Sequence, residues 1–350
     1  MDKYSAEPCR PHRMTRGPRR EATYEAPPNI ALVKYWGDRD RERALPYNSS
    51  ISVTLDRLRS RTTVRFDSEL SDDRVELNGE VAVGGPREGV VRFLDRVREM
   101  AGVSDRAIVR SRNNFPTASG LASSASGFAA LAGAATAALG LELSGRELSR
   151  LARFGSGSAG RSVFGGFVEW RAGVRPDGGD CDVRPLFGPD HWPALVDLVL
   201  IVRAAPVKAV RSADAMQATV ATSPIYARRI AELPGRIRKI RAAIGARDPR
   251  RLFPLVMEEC DSFREVCETT RPSLDYLTTT SRALLAEVRT INREAGRPVA
   301  AYTHDAGAHL HIFTLARDAA RVRRRLARLP GVDRTLLLHA GPGGRLVSAS

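Results

Sequence analysis

The sequence predicts a mixed α+β protein with two domains. Strand-like alternation and helix-like periodicity follow one another irregularly along the 350 residues, without the strand–helix rhythm of a parallel doubly wound sheet. A stretch rich in Gly, Pro and Asp, Pro176 to Pro193, reads as a linker between two parts of ordinary domain size. Directly after it, Leu195 to Val202 is a nearly unbroken apolar run of strand length, the pattern of a strand buried on both faces.

The elements follow in order. Residues 1–22 hold Arg10, Arg13, Arg16, Arg19 and Arg20 among Pro8, Pro11 and Pro18, with little that packs, and read as a disordered basic arm. Alternation of strand type begins at Tyr24 and recurs over Ser52 to Leu55 and Thr62 to Phe66. Val91, Phe93, Leu94 and Val97 give Val90 to Met100 helical spacing. An alanine-rich helix is expected from Gly127 to Leu139, a second from about Ser144 to Phe154, and a strand over Phe164 to Arg171. Beyond the linker, Ile237, Ile240 and Ile244 mark one helix, and Leu284, Val288 and Ile291 another. Ala300 to Thr303 and Leu310 to Leu315 read as strands flanking a loop that carries Asp305. A last helix runs from about Asp318 to Leu329, with Val322, Leu326 and Leu329 turned inward and Arg321 to Arg328 forming its solvated face. The expected division is a 23–193 domain and a 194–346 domain, without an internal repeat.

Composition narrows the function. With 43% apolar and 27% charged residues the chain is globular, and no apolar run approaches the roughly 18 residues of a membrane span. The N-terminus lacks the apolar core of a secretory signal, so a cytoplasmic location is expected. Cys9, Cys181, Cys260 and Cys267 show no paired spacing and read as free thiols. The net charge of +15 raises a nucleic-acid reading. That reading is opposed by the spread of the excess along the chain as Arg, and by 6% aromatics that do not interleave with the basic run. A basic surface equally attracts a polyanionic substrate.

The most informative stretch runs from Asn113 to Ser126. It sets Pro116, Gly120 and the serines Ser119, Ser123, Ser124 and Ser126 ahead of the alanine helix. A small-residue loop feeding a helix N-terminus closes backbone N–H groups and hydroxyls around a phosphate, with the helix dipole favouring the anion. No Lys follows Gly120, so this is not the G-x-x-x-x-G-K-[ST] loop. On these residues alone, an ordinary serine cap on a buried helix stays open. Asp305 has two readings as well: a cap on the Ala306-Gly307 turn, or a carboxylate presented beside a bound anion.

Three further blocks change the balance. They are Ala26-Pro27-Pro28-Asn29-Ile30-Ala31-Leu32-Val33-Lys34-Tyr35-Trp36-Gly37, then Gly155-Ser156-Gly157-Ser158-Ala159-Gly160-Arg161-Ser162, and Tyr302-Thr303-His304-Asp305-Ala306-Gly307. In this order and at these separations, from Tyr24 to Gly343, the sequence resembles the diphosphomevalonate decarboxylases. That family lies within the superfamily of galactokinase, homoserine kinase, mevalonate kinase and phosphomevalonate kinase. The resemblance implies the two-domain fold of these kinases: an N-terminal domain like ribosomal protein S5 domain 2, a ferredoxin-like C-terminal domain, and an active site in the cleft between them. It also implies ATP-dependent decarboxylation of a 5-phosphorylated mevalonate, giving isopentenyl phosphate or diphosphate. In that reaction the 3-hydroxyl is phosphorylated, phosphate departs, and carbon dioxide is lost.

Such chemistry needs a phosphoryl cradle, a proton acceptor, a carboxylate clamp and a pocket for the distal phosphate. The resemblance assigns Asp305 as the base and Arg161 as the clamp, with Asn29 holding the arginine; a guanidinium offers a planar fork to a carboxylate. It places Tyr35, Trp36, Gly37 and Asp38, with Ser156, Gly157, Ser158 and Ala159, at the substrate. It places Lys34, Pro116, Ser119, Gly120, Ser123 and Ser124 at ATP; Lys34 reads either as charge balance or as a solvent-facing strand lysine. Mg²⁺ is expected because two polyanions must meet, although no all-protein metal cage is visible in the sequence. A homodimer is usual for the family. Two departures stand out. The family's Lys-Tyr-Trp-Gly-Lys ends here in Asp38, and Pro46-Tyr47-Asn48-Ser49-Ser50-Ile51-Ser52 resembles the branch that acts on phosphomevalonate. A kinase that phosphorylates the 3-hydroxyl and stops is the alternative on the same fold, but it has no need of the carboxylate clamp.

Overall fold

The computed structural model of the chain describes residues 20–115, 123–203 and 210–350. Its elements are β1 (Glu21–Ala26), β2 (Asn29–Val33), β3 (Asp38–Asp40), β4 (Leu45–Pro46), β5 (Ser50–Thr54), β6 (Ser60–Asp67), β7 (Arg74–Leu77), β8 (Glu80–Val81) and α1 (Gly84–Ala101). Next come β9 (Arg106–Asn113), α2 (Ser123–Ala138), α3 (Gly145–Ala152), a 3₁₀ helix (Gly157–Val163), β10 (Phe167–Trp170) and β11 (Val183–Phe187). Then follow β12 (Leu195–Val202), α4 (Ser212–Thr222), α5 (Tyr226–Gly245), α6 (Pro249–Glu268) and α7 (Thr279–Glu294). The last elements are β13 (Ala300–Thr303), β14 (Leu310–Leu315), α8 (Ala316–Leu326), β15 (Val332–His339) and β16 (Arg345–Ala349). Among the described residues no helix is long and apolar enough to cross a membrane.

Local chemistry sets several of these boundaries. Ser144 and Glu147 form a reciprocal capping box that starts α3, and the Asp248 carboxylate caps α6 with Pro249 at the first helical position. Helix α2 is buried nearly all round because its alanines leave no polar face. It lies on β1 and β6 of a sheet ordered β16-β1-β6-β9-β7-β8, in which only the β7–β9 pairing is parallel. Tyr24, Val64, Phe66 and Val109 of that sheet pack with Leu94 and Val97 of α1 and the α2 alanines in one core.

A second sheet runs β11-β10-β5-β2, and β2 and β5 are buried along their whole length. The third sheet, β13-β14-β12-β15, is antiparallel throughout and is the split β-α-β arrangement of a ferredoxin-like domain: β14 lies between β12 and β13. One face of it packs Leu198, Leu200, Tyr302 and Ile312 against α7 and α8. The other face joins Val199 and Phe313 to Ile30 and Val53 of the second sheet and to Ile237, Ile240, Phe253 and Val256 of α5 and α6. The two domains of this α+β fold therefore share a continuous core where β2 meets the third sheet.

Three sequence expectations are corrected. Glu21 and Ala22, assigned to the basic arm, belong to β1, because Ala22, Tyr24 and Ala26 alternate into the core beneath α2; residues 1–19 lie outside the described part. The linker contains β11, which pairs with β10 and buries Val183. The C-terminal strand β16 does not stay with the 194–346 domain but adds to the edge of the first sheet beside β1.

Candidate active site

Strand β2 pairs with β5 only as far as Val33, with an irregular register between Ala31 and Val33. Lys34 therefore leaves the ladder, and its main-chain groups find other partners. Its N–H donates to Glu259 Oε1 of α6 at 2.9 Å, and its C=O accepts from Asn48 Nδ2 at 2.9 Å. The Lys34 side chain is 3% exposed, which settles its alternative readings: it does not face solvent. Nζ reaches Asp305 Oδ1 at 2.7 Å, in the loop after β13, where the carboxylate is 27% exposed. Burial works to raise the Asp305 pKa, but the adjacent Lys34 ammonium and its hydrogen bond, with weaker help from His311 and Arg161, hold the carboxyl below its ordinary value.

Arg161 sits in the 3₁₀ helix and is 4% exposed. Its Nε donates to Asn29 Oδ1 at 2.9 Å and its Nη1 to Ser50 Oγ at 2.7 Å. Asn29 is fixed in turn, donating to Ser162 Oγ at 2.8 Å and to the Ser158 carbonyl at 3.3 Å. Burial lowers the Arg161 pKa to about 10, against the attraction of Asp305 and Tyr35, so the guanidinium stays charged at neutral pH. With Nε taken, a planar anion can meet the fork only end-on, through Nη1 and Nη2.

Tyr35 donates to Asp38 Oδ1 at 2.5 Å. Burial raises the Asp38 pKa to about 6, while the Tyr35 hydrogen bond and Arg41 oppose that rise. Arg39, the next basic residue, is engaged elsewhere, with Nη2 at 3.1 Å from the Arg175 carbonyl. Trp36 is buried among Ala215, Met216 and Phe263, with Nε1 donating to Thr219 Oγ1 at 3.0 Å. It anchors the segment and does not line an open cleft. Gly37 has a φ of +105°, and a Cβ there would stand 2.1 Å from the Tyr226 hydroxyl, which donates to the Trp36 carbonyl. Gly157 meets the Tyr35 ring closely: a Cβ on it would stand 2.6 Å away. Ala159 is a buried residue of the 3₁₀ helix itself.

Ser123 and Ser124 open α2, whose first turn carries no acidic residue. Ser124 is exposed, with its Oγ 3.3 Å from Ser156 Oγ, so the α2 N-terminus and the 3₁₀ helix face the same space. Pro116, Ser119 and Gly120 lie outside the described residues. The structure thus gathers Asn29, Lys34, Tyr35, Asp38, Ser156, Gly157, Ser158, Arg161 and Asp305 around one region, with Ser123 and Ser124 at its side.

Alternation along a strand would turn one of His309 and His311 to the core and the other to solvent or the cleft. Both are buried, because His309 precedes β14 and its Nδ1 accepts the Val202 N–H at 3.2 Å. His304 Nδ1 lies 2.7 Å from the Asp305 carbonyl, which can only accept, so the proton sits on Nδ1. Burial holds the His304 pKa down at about 4, so it is neutral at working pH. Sequence reasoning missed Glu259, Ser50, Ser162 and Tyr226, and gave Asn48 no role; Asn48 and Ser50 lie in a stretch it had singled out. A cavity of about 600 Å³ between α5, α6 and α7 is not this site. Its charges neutralise one another, with Arg236 on Glu258 and Glu259, Arg289 on Asp261, and Arg228 on Glu232.

Comparison with known proteins places both domains of the chain in one family. The family model for the diphosphomevalonate decarboxylase-like N-terminal domain matches residues 26–182, and that for the mevalonate 5-diphosphate decarboxylase C-terminal domain matches residues 198–335. The diphosphomevalonate decarboxylase of Ganoderma lucidum is 42% identical over 313 residues, covering 84% of this chain and 78% of that one. The structure of MDDEF in complex with MVAPP, AMPPCP and magnesium superposes with a TM-score of 0.87 at 35% identity, covering 94% of this chain and 99% of that chain. The mevalonate diphosphate decarboxylase of Staphylococcus aureus also gives 0.87, at 34% identity, with 94% and 98% covered. Matched by both family models and by relatives across more than four-fifths of its length, the chain belongs to the diphosphomevalonate decarboxylase family.

Proposed function

We propose that this protein is an ATP-dependent decarboxylase of a 5-phosphorylated mevalonate. The observation that carries the proposal is the convergence of two opposite devices: a carboxylate held by one lysine, Asp305, and a buried guanidinium, Arg161, fixed through Nε and one N–H of Nη1 so that its end face can still meet an anion. ATP phosphates would meet Ser123 and Ser124 at the positive end of α2, whose first turn has no carboxylate to repel them. Among the described residues no three His, Cys, Asp or Glu side chains gather to hold a metal, so Mg²⁺ would arrive on the ATP phosphates and supply charge neutralisation there.

Asp305 accepts the substrate's 3-hydroxyl through the oxygen that Lys34 leaves open. Its lowered pKa keeps it ionised but makes it a weak base. Its work is to orient the O–H and take the proton late, once bonding to phosphorus has made the hydroxyl acidic. The new phosphate then leaves with the C–O electron pair, and Arg161 holds the carboxylate end-on. The electron pair of the breaking C–C bond forms the alkene and carbon dioxide departs. Arg161 stays charged throughout, so the clamp does not depend on pH in the neutral range.

The test is turnover with ATP and, in parallel, mevalonate, its 5-phosphate and its 5-diphosphate, scoring ADP and carbon dioxide. Equal yields of both products from a phosphorylated substrate support the reading; ADP without carbon dioxide would make it a kinase. The family resemblance further supports a cytoplasmic homodimer, which sedimentation velocity would check as to mass.

A further inference from the structure

We infer that Glu259 and Asn48 are positioning residues that grip the Lys34 main chain from both sides and so set the Lys34–Asp305 pair. The inference rests on the functional reading above for its kinetic test. Lys34 stands one residue beyond β2, where the ladder no longer satisfies its peptide groups. Its N–H goes to a buried carboxylate on α6, and its C=O to a buried carboxamide ahead of β5, each at 2.9 Å. A lysine reaches through a flexible four-carbon stem, so a shift at its backbone is carried to Nζ; holding the N–H and the C=O fixes the point from which the buried side chain reaches Asp305.

The grip is itself braced. Glu259 is fully buried and lies between Arg229, which donates to both of its oxygens, and Arg236, whose Nη1 donates to Oε2 at 2.8 Å. Arg229 also donates to Ser262 Oγ at 2.9 Å. A buried Arg–Glu–Arg triad adds little net stability over apolar packing of the same volume. What it supplies here is geometry: it ties α5 and α6 to the end of β2, across the junction between the domains. Asn48 completes the hold while donating to the Ser49 carbonyl at 2.7 Å. The charged and titratable groups around Asp305 are Lys34 from the end of β2, Arg161 from the 3₁₀ helix, His304 in its own loop and His311 from β14.

The experiment uses the full chain with ATP and whichever phosphorylated mevalonate the wild type turns over best. Asn48→Leu and Glu259→Met, which remove the donor to the Lys34 carbonyl and the acceptor of its N–H, are compared with Arg236→Met, which loosens the brace but leaves both Lys34 hydrogen bonds in place. In the first two, kcat is expected to fall by roughly tenfold to a hundredfold, as for a misplacement near 1 Å. The acid limb of kcat/KM should move to higher pH by about half a unit, since Asp305 loses part of the Lys34 field. KM for ATP should stay within about twofold, because the ATP contacts are untouched. Arg236→Met should lower Tm without moving that limb. Should Glu259→Met fail to fold, since it leaves Arg229 and Arg236 without their carboxylate, Asn48→Leu decides alone. A wild-type limb and kcat in the folded variants overturn the inference, and so does an equal shift in Arg236→Met, which would mean general loosening. Absence of turnover by the wild type on all three substrates is a different failure: it removes the functional reading, and the inference with it.

Discussion

Lys34 and Asp305, 271 residues apart in sequence, meet at 2.7 Å between Nζ and Oδ1, where the end of β2 faces the loop after β13. The choice of lysine matters in a chain whose basic residues are overwhelmingly arginine. An ammonium is a point charge that engages one carboxylate oxygen, whereas a guanidinium fork would occupy both. The contact therefore stabilises ionised Asp305 while leaving it an oxygen for a substrate hydroxyl.

Asp305→Asn is expected to abolish ADP release and carbon dioxide formation together, since both follow from phosphorylation of the same hydroxyl. Loss of a proton acceptor costs on the order of 10² to 10⁴ in rate. ATP affinity by calorimetry should stay within a few-fold. Near-normal turnover would remove Asp305 from the chemistry.

Lys34→Met tests the pair from the other side. The Asp305 pKa lies below its ordinary value because of Lys34, so the ionised form persists down to acidic pH in the wild type. Without the ammonium the pKa rises, and activity on the acid side should be lost at higher pH than in the parent. An unmoved acid limb would show that Asp305 titration does not limit the rate.

Arg161→Gln keeps a hydrogen-bonding group near Asn29 and Ser50 but cannot hold a carboxylate with two charged donors. Product formation should fall by about a hundredfold or more, the scale of removing one charge-stabilising donor. A loss of only two- or three-fold, within the scatter of about 1 kcal/mol for an ordinary hydrogen bond, would place the clamp elsewhere.

Asp38 stands where the family pattern carries lysine, and with a pKa of about 6 it is ionised at neutral pH. At about 4 Å and an effective dielectric near 20, one charge pair is worth roughly 4 kcal/mol before screening. We expect kcat/KM for 5-phosphomevalonate to exceed that for the 5-diphosphate, with the ratio shrinking below about pH 6 as Asp38 protonates. Substrate phosphates titrate in the same range. Asp38→Asn separates the two effects, because only the Asp38 part of the pH dependence disappears. A diphosphate preference unchanged by Asp38→Lys would mean that this position does not read the tail.

Gly37→Ala should destabilise the protein in urea by on the order of 1–3 kcal/mol, the scale of backbone strain at a site that needs positive φ. Part of the loss should return with Tyr226→Phe, which removes the hydroxyl a Cβ would strike at 2.1 Å. No recovery in the double variant would assign the whole cost to φ.

The linear pattern was sufficient for some elements and not for others. Leu195 to Val202 is legible at its true length because both its faces are buried, so the apolar run is broken only by Asp197, whose carboxylate pairs with His311 in the interior. Ser144 marked the start of α3 because its cap is a local reaction between residues three apart. Helix α6 went unread: Pro254 interrupts it and charged residues crowd it, although Leu252, Val256, Phe263 and Cys267 carry its inward spacing. Glu259 is hidden with it, because its partners lie just beyond β2 and on α5 and leave no spacing signal near position 259.

What the sequence determined by itself was whatever depends on neighbours along the chain: the α+β class, the small-residue turn before the 3₁₀ helix, and the segments carrying Asn29, Lys34, Arg161 and Asp305. The tertiary structure alone decided that Lys34 is buried against Asp305, that Trp36 is an anchor, and that β16 crosses back to β1, bringing Arg345 to Glu25 from 320 residues away. The physical reason is that a charge pair, a buried indole and an edge strand take their energies from desolvation and hydrogen bonds supplied by distant segments. Those terms exist only once the core joining the two domains has closed.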